Sequence, residues 1–314
     1  MTTQILQALK NFVWRINLIN NIKALVFEIS HKQRESTISV VCPQRSGLGD
    51  TYMICGLCEE LMKSKNATSC IVYVKPGHQF IASLFDILKV KTLSFMIPTR
   101  TENRLRSYNK IFFANIPSTL SNNIGSGELT LLDCYKMSLN LPLKTKLSKA
   151  QRPYKSEKES AEKILSKYAL LPNKTCLIAP EANSSPCLNQ DLIKQVYKNA
   201  IENGYTPAIT APFSKKIDGL LYIDIPLQEI RAFAECAGWV ISVRSGLCDL
   251  LSDVDCQLTV LYPDLAWHGG SLISGTSIKK MGIRNTAEEY EISKDFRVEL
   301  LFQNEASGKQ TKHN

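Results

Sequence analysis

The six residues from Arg45 to Asp50 (RSGLGD) carry groups that could do chemistry, and they lie between a predicted strand and a predicted helix. Gly47 and Gly49 permit left-handed backbone and close approach. Asp50 is placed at a helix N-terminus, which favours an ionised carboxylate, and with Arg45 nearby it could act as a general base. The alternative is that Asp50 only caps the helix. The spacing is neither GxGxxG nor a Walker loop, so it predicts no dinucleotide or P-loop site.

A second turn of the same kind follows the apolar run 240–243 and begins with Arg244-Ser245-Gly246-Leu247. Backbone N–H groups at a helix N-terminus form an anion site, and the arginine fork suits a phosphate. These residues therefore predict a cradle for a diphosphate. The alternative is that Ser245 caps the helix while Arg244 pairs with an acid such as Asp249.

The elements that must position these turns alternate between strand and helix. Strands are predicted at 36–42, 69–75, 93–97, 110–114, 174–179, 206–210, 220–223, 238–243 and 257–262. Helices are predicted at 51–63, 77–88, 157–168, 190–203, 227–237, 246–253 and 294–302. This alternation is typical of α/β domains with parallel sheets, whose ligands bind at the carboxyl ends of the strands.

The chain of 314 residues suits about two domains. The prediction is an amphipathic helical segment at 1–30, Rossmann-like domains at 31–150 and 151–290 facing each other across a central cleft, and a C-terminal helix with a flexible tail at 291–314. The N-terminal segment is basic and apolar on one face, so it could lie on anionic lipid or pack on protein.

The net charge of +9 is concentrated in two stretches, +3 at 100–110 and +5 at 144–167. Focused positive charge predicts an anionic partner, although a solvated basic linker would look the same. Nucleic acid is disfavoured because the basic stretches lack interleaved aromatics and no nucleic-acid-binding module appears. The charge therefore points to a membrane surface or a phosphorylated glycan as the anionic partner.

The ten cysteines occur in a chain without a recognisable signal peptide or membrane-spanning run, which predicts reduced thiols in a cytoplasm. Cys55 and Cys58 form one C-x-x-C pair, with Cys42 and Cys70 on neighbouring predicted strands. A zinc site normally uses two such C-x-x-C pairs, and this sequence has one. The prediction is therefore no metal and no cofactor.

Taken in order, these motifs resemble the heptosyltransferase-like glycosyltransferases, family 9 of the GT-B fold, in a degenerate form. The turn at 45–50 resembles the SxLGD turn of that family. Segment 178–183 (IAPEAN) lies where the family has HPGAS, and 227–233 (LQEIRAF) where it has LxELAALL. Ser245-Gly246 lies where DSGPxH opens the donor-phosphate helix, and 258–263 resembles the PVVALFGP strand.

The resemblance implies an inverting, metal-independent glycosyltransferase of lipopolysaccharide, capsule or similar surface-glycan synthesis. It implies that Ser245, Gly246 and Leu247 hold the diphosphate of a nucleotide sugar and that Asp50 is the base. To the donor-binding residues we add Arg244, Pro180 and Asn183. The acceptor-binding residues are predicted to be Arg45, Ser46, Gly47, Arg104 and Arg106, because the donor diphosphate needs only Arg244 and a helix end and leaves the bulk of the positive charge for the acceptor or the membrane carrying it. The partners would be a nucleotide sugar and an anionic glycan or glycolipid. The location would be cytoplasmic, with peripheral contact at the inner membrane.

This sequence departs from the family pattern at the donor turn. Arg244 stands where the family has Asp, Asp249 stands where it has His, and 184–189 has no counterpart of the KRWP lysine. Arg244 could replace that lost cation. The alternative hypothesis is a non-catalytic GT-B-like protein that binds a glycan or acts as a scaffold, and the eroded motifs support it.

Overall fold

A computed structural model describes residues 36–303, except 98, 107–109, 152–154, 184, 212–215 and 269. The described chain forms two compact units. Unit 1 comprises residues 36–46, Ile54–Ile116 and Tyr135–Ser148. Unit 2 comprises Gly47–Met53, Pro117–Cys134 and residues 149–303. The predicted helical segment 1–30 and the tail beyond 303 lie outside the described residues.

Unit 1 is built on a four-stranded parallel sheet with strand order β3-β2-β1-β4. Its strands are β1 Thr37–Val41, β2 Ser69–Val74, β3 Leu88–Thr92 and β4 Ile111–Phe113. β1 and β2 are almost wholly buried, as expected of strands that lie inside a parallel sheet, and the edge strand β4 is buried as well. The first five helices in chain order are α1 Leu48–Ser64, α2 Gln79–Ser83, α3 Thr99–Arg106, α4 Ser118–Gly125 and α5 Leu131–Ser138.

Unit 2 is built on a six-stranded parallel sheet with order β12-β9-β8-β5-β6-β7. The strands are β5 Thr175–Ala179, β6 Thr206–Ala211, β7 Tyr222–Asp224, β8 Gly238–Val243, β9 Gln257–Pro263 and β12 Glu288–Ile292, and β10 Ala266–Trp267 with β11 Gly270–Ser271 forms a separate antiparallel pair. The helices are α6 Lys155–Lys167, α7 Gln190–Glu202, α8 Ile230–Ala237, α9 Gly246–Leu250, α10 Leu272–Thr276 and a 3₁₀ turn at Val298–Phe302.

Counted in chain order, the strands of the six-stranded sheet follow the 3-2-1-4-5-6 order of doubly wound nucleotide-binding domains. The four-stranded sheet repeats the first part of this order, 3-2-1-4. The sequence prediction of an α/β protein with parallel, Rossmann-like sheets is therefore confirmed, while the cleft predicted between them stays a prediction.

Several element predictions need correction. The strand predicted at 93–97 lies instead at Leu88–Thr92, and the helix predicted at 77–88 is only the short α2. β12 and helices α3, α4, α5 and α10 were not predicted, and the last helix is a 3₁₀ turn rather than 294–302. By its contacts, Gly47–Met53 belongs to unit 2, although the sequence places it inside a first domain at 31–150.

Candidate functional site

Each parallel sheet reverses its strand order beside its first strand, and such reversals are where α/β proteins bind ligands. In unit 2 the reversal lies between β5 and β8, which are hydrogen-bonded neighbours. Pro180 follows β5 directly, and Arg244 follows β8. In unit 1 the reversal lies between β1 and β4. The predicted donor residues thus follow the two strands at which the order of the larger sheet reverses.

Asp50 lies in the first turn of α1, and its side chain caps the N-terminus of that helix. The N–H of Gly47 donates to Asp50 Oδ2 at 2.6 Å, and the Thr51 hydroxyl donates to the Gly47 carbonyl at 3.3 Å. Because α1 begins at Leu48, the N-cap position is Gly47 rather than Asp50. The Asp50 side chain is partly exposed, and Oδ1 has no hydrogen-bond partner among the described residues. One carboxylate oxygen therefore remains available to accept a proton.

The residues before this turn belong to unit 1. Ser46 is buried, and its hydroxyl donates to the Pro43 carbonyl at 2.6 Å. Lys75, at the end of β2, donates to the Ser46 carbonyl at 2.6 Å. Arg45 is exposed and makes no ion pair within the described residues. Of the three predicted acceptor residues here, Arg45 and Gly47 are therefore accessible, whereas the Ser46 hydroxyl is used internally.

Arg244 is only 6% exposed and is held by the chain itself. Its Nη1 and Nη2 donate to the two carboxylate oxygens of Asp249, both at 2.9 Å. Nη1 also donates to the Ser245 carbonyl at 2.6 Å, and Nε donates to the Thr276 carbonyl at 2.9 Å. The pairing that the sequence offered as the alternative is thus the one present. A fork already occupied by a carboxylate has no free bidentate position for a phosphate.

Asp249 is 1% exposed, and its ionisation is set by burial and two neighbours. Burial raises the pKa of Asp249, the Arg244 guanidinium opposes that rise, and the Asp50 carboxylate adds to it. Burial alone would lower the pKa of Arg244, but Asp249, Tyr262 and Cys248 together outweigh it and raise that pKa, so the guanidinium stays charged. The pair is a buried ion pair with its hydrogen bonds satisfied.

The two candidate turns lie against each other within unit 2. A methyl group built on Gly49 would lie 2.0 Å from Asp249 Oδ2 and 3.0 Å from the Gly246 Cα. One built on Gly246 would lie 2.6 Å from the Gly49 nitrogen. Neither Gly47 nor Gly49 has a positive φ, so the expected left-handed backbone is absent there and the close approach is what requires Gly49. The candidate base and the candidate phosphate turn are therefore brought together.

Ser245 occupies the N-cap position of α9, but its side chain makes no capping hydrogen bond. The hydroxyl lies 3.5 Å from the Ser242 hydroxyl instead. Among the described residues no side chain caps the first N–H groups of α9; the Cys248 N–H donates to the Ser245 carbonyl at 3.1 Å, and the N–H groups before it are suited to meet an anion. The capping role proposed as the alternative for Ser245 is not observed.

The loop after β5 holds the remaining predicted donor residues. The Pro180 carbonyl accepts a hydrogen bond from the Leu188 N–H at 3.0 Å, and Asn183 is exposed. Ser185, which the sequence analysis did not single out, has a buried hydroxyl without a hydrogen-bond partner among the described residues. A buried hydroxyl that lacks a partner is costly, so it marks this loop as a place where a ligand group or a water would be stabilised.

Of the two predicted acceptor arginines in the 100–110 stretch, Arg106 is the one whose side chain is described. Its Nη2 lies 2.7 Å from Glu102 Oε1 and donates to the Phe113 carbonyl at 3.2 Å. The second oxygen of Glu102 accepts from the Asn115 amide at 2.9 Å. Arg106 thus fastens α3 to the end of β4, and an acceptor role for it stays a prediction. The side chain of Arg104 lies outside the described part.

The described residues contain no group of three or more His, Cys, Asp or Glu side chains suited to a metal ion. Cys55 faces Cys42, and Cys58 faces Cys70; mutual hydrogen bonding and burial raise the thiol pKa values of Cys55 and Cys58. Buried thiols with raised pKa values are poor nucleophiles. Within the described part of the chain, no helix is long and apolar enough to span a bilayer.

Sequence comparison finds no matching protein-family model. No curated protein matches the sequence either.

Comparison with solved structures finds a shared fold. The E. coli ADP-heptose LPS heptosyltransferase II matches with a TM-score of 0.61 and 12% identity over 86% of this chain and 98% of its own. A family 9 glycosyl transferase from Veillonella parvula matches at 0.54 and 12%, covering 89% and 90%. E. coli heptosyltransferase WaaC with ADP matches at 0.53 and 11%, covering 86% and 99%. Since such identities establish fold alone, the chain has the α/β, GT-B fold of these glycosyltransferases.

Proposed function

We propose that this protein is an inverting, metal-independent glycosyltransferase that uses a nucleotide-diphosphate sugar. The observation that carries the proposal is the contact between the Asp50 turn and the uncapped start of α9 at Gly49 and Gly246. It sets a carboxylate with a free oxygen beside N–H groups suited to a diphosphate. The shared fold supports it, because those structures are of glycosyltransferases and one of them holds ADP.

In this proposal the donor diphosphate lies on the Ser245–Leu247 backbone, with the loop at Pro180 and Asn183 beside it. An acceptor hydroxyl attacks the anomeric carbon from the face opposite the diphosphate. Asp50 Oδ1 takes the hydroxyl proton as the new glycosidic bond forms, and the bond to the leaving diphosphate oxygen breaks. The N–H groups of α9 stabilise the charge that develops on that oxygen. Arg244 acts by holding the turn through Asp249.

The acceptor is proposed to be an anionic surface glycan or glycolipid, such as a lipopolysaccharide or capsule precursor, with Arg45 and the 100–110 and 144–167 stretches supplying positive charge. Such an acceptor would be met in the cytoplasm, at the inner face of the membrane that carries it.

Asp50→Asn tests the base assignment, and Asp133→Asn is its matched control. Asp133 caps α5 from the same position, accepting from the Thr130 N–H at 3.1 Å. With ADP-heptose and other nucleotide sugars as donors, we expect Asp50→Asn to lower turnover at least about 100-fold. Asp133→Asn should leave turnover near the wild-type value. Equal turnover in the two variants would show that Asp50 is only a cap.

A non-catalytic glycan-binding or scaffold protein is the second candidate, because the only arginine of the donor turn is occupied by Asp249. Calorimetric titration with ADP separates the two functions. The enzyme proposal expects saturable binding that is lost when Gly246 is replaced by Val, whereas the scaffold predicts no binding to the wild-type protein.

A further inference from the structure

Tyr52 lies two residues after Asp50 in the first turns of α1, and it is only 2% exposed. Its hydroxyl accepts a hydrogen bond from the Ser252 hydroxyl at 3.0 Å and donates to Asp253 Oδ1 at 3.3 Å. Burial raises the pKa of Tyr52, and the Asp253 carboxylate adds to the rise. The hydroxyl therefore remains protonated and able to donate throughout the working pH range.

The acceptor of this hydrogen bond is itself held in place. Arg231 Nη2 donates to the same Oδ1 of Asp253 at 2.8 Å, and Nη1 donates to the Gln151 carbonyl at 2.6 Å. Arg231 is 3% exposed, so neither partner of the ion pair is free to swing into solvent. The Tyr52 hydroxyl is thus bound to a fixed carboxylate of unit 2.

On the other side of Asp50, Gly49 packs against Gly246 and Asp249. The segment Gly47–Met53 consequently has one attachment before Asp50 and one after it. Both attachments lead to unit 2, in agreement with the grouping of this segment by its contacts. A carboxylate between two fixed points has little freedom to change its distance from the donor turn.

We propose that Tyr52 is a positioning residue that, through Ser252 and Asp253, holds the Asp50 turn at a set distance from the Ser245–Leu247 turn. This inference rests on the proposed function for Asp50, and it assigns Tyr52 no contact with substrate. The position of the base matters because a misplacement of about 1 Å can lower the rate about 100-fold.

The test compares Tyr52→Phe with Tyr197→Phe in the full chain. Tyr197 also lies in unit 2, and its hydroxyl accepts only the Leu221 N–H at 3.2 Å among the described contacts, far along the chain from Asp50. Amide hydrogen exchange across 47–53 is measured for both. We expect Tyr52→Phe to speed exchange in this segment about 10-fold, whereas Tyr197→Phe should leave it unchanged.

Kinetics supply the second measurement. With ADP-heptose, or the nucleotide sugar that the wild type uses, Tyr52→Phe should lower kcat about 10-fold and leave the affinity for ADP within about 2-fold. Unchanged kcat, or exchange across 47–53 equal to that of Tyr197→Phe, would overturn the positioning role. If the wild type transfers no sugar, the proposed function fails and the exchange measurement alone decides whether Tyr52 holds the turn. Ser252→Ala, which removes the hydroxyl that donates to Tyr52 and leaves the Arg231–Asp253 pair intact, repeats both measurements should Tyr52→Phe fold poorly.

Discussion

The two turns that carry the candidate site have nearly the same sequence and different structures. RSGLGD at 45–50 and RSGLCD at 244–249 agree at five of six positions, and each links a buried parallel strand to a helix. Yet Arg45 is exposed, whereas Arg244 is buried and bound to Asp249. The Asp50 carboxylate accepts a hydrogen bond from the Gly47 N–H, whereas the Asp249 carboxylate accepts hydrogen bonds from the Arg244 guanidinium. Burial, rather than turn sequence, therefore decides what the charged residues do.

The single difference between the two hexapeptides has a physical reason. Gly49 has no room for a side chain because Asp249 Oδ2 occupies the place of its Cβ. Cys248, at the equivalent position, is fully buried in the core of unit 2 and fills space there. Gly49 in the first turn therefore leaves space for the Asp249 carboxylate, whereas Cys248 in the second turn packs into the core of unit 2.

The second turn contains two departures from the pattern of the resembled family. Arg244 and Asp249 stand where the resembled family has Asp and His. In the structure these residues pair with each other, so an acid followed by a base has been replaced by a base followed by an acid. In this chain the two residues neutralise each other's charge.

The largest effect expected from this comparison concerns the buried ion pair. Asp249→Asn leaves the Arg244 charge buried without a counter-ion and should destabilise the protein by about 3–5 kcal/mol. Asp50→Asn, at the matching position of the other turn, should cost about 1 kcal/mol. Denaturant unfolding measures both. The double variant Arg244→Met with Asp249→Leu should recover most of the loss; equal losses for the two single variants would contradict the contrast in burial.

A smaller effect is expected at the glycines. Gly49→Ala forces a methyl group into Asp249 and the Gly246 backbone, so it should destabilise the protein by about 1–3 kcal/mol. In Gly47→Ala the methyl group would lie 3.4 Å from Asp50 Oδ2, an ordinary contact, and the change should stay within about 0.5 kcal/mol. Thermal unfolding of both variants checks the difference. A mild Gly49→Ala would mean that the turns are not in contact.

The smallest effect on stability is expected at Arg45. Because this side chain is exposed and unpaired in the described structure, Arg45→Ala should change the free energy of unfolding by less than about 0.5 kcal/mol. ADP affinity, measured by calorimetry, should also be unchanged, since Arg45 is assigned to the acceptor. A drop in ADP affinity would move Arg45 to the donor side of the proposal.

Strands inside the sheets were predictable because parallel strands buried on both faces are continuous apolar runs, as in β5 and β8. The strands missed in the parallel sheets are at the sheet edges, and the missed β10 and β11 have only two residues each. β3 (LKVKT) and β12 (EEYEI) carry charges and are half exposed, so no apolar run marks them. Short helices such as α2 and α10 were missed or overextended because five residues give no helical period to detect.

By itself the sequence determined the α/β class and the two strand–turn–helix motifs, and it predicted Asp50 and the Ser245–Leu247 turn as the residues for chemistry. These are local: β-branched runs, glycines and a following amphipathic stretch specify them within a few residues. The sequence left open whether Arg244 meets a phosphate or pairs with Asp249 in the same turn, and the structure shows the pair. Only the tertiary structure decided that the two turns touch and that Tyr52 reaches Asp253. Residues about 200 positions apart meet there, and such contacts depend on packing that no local pattern encodes.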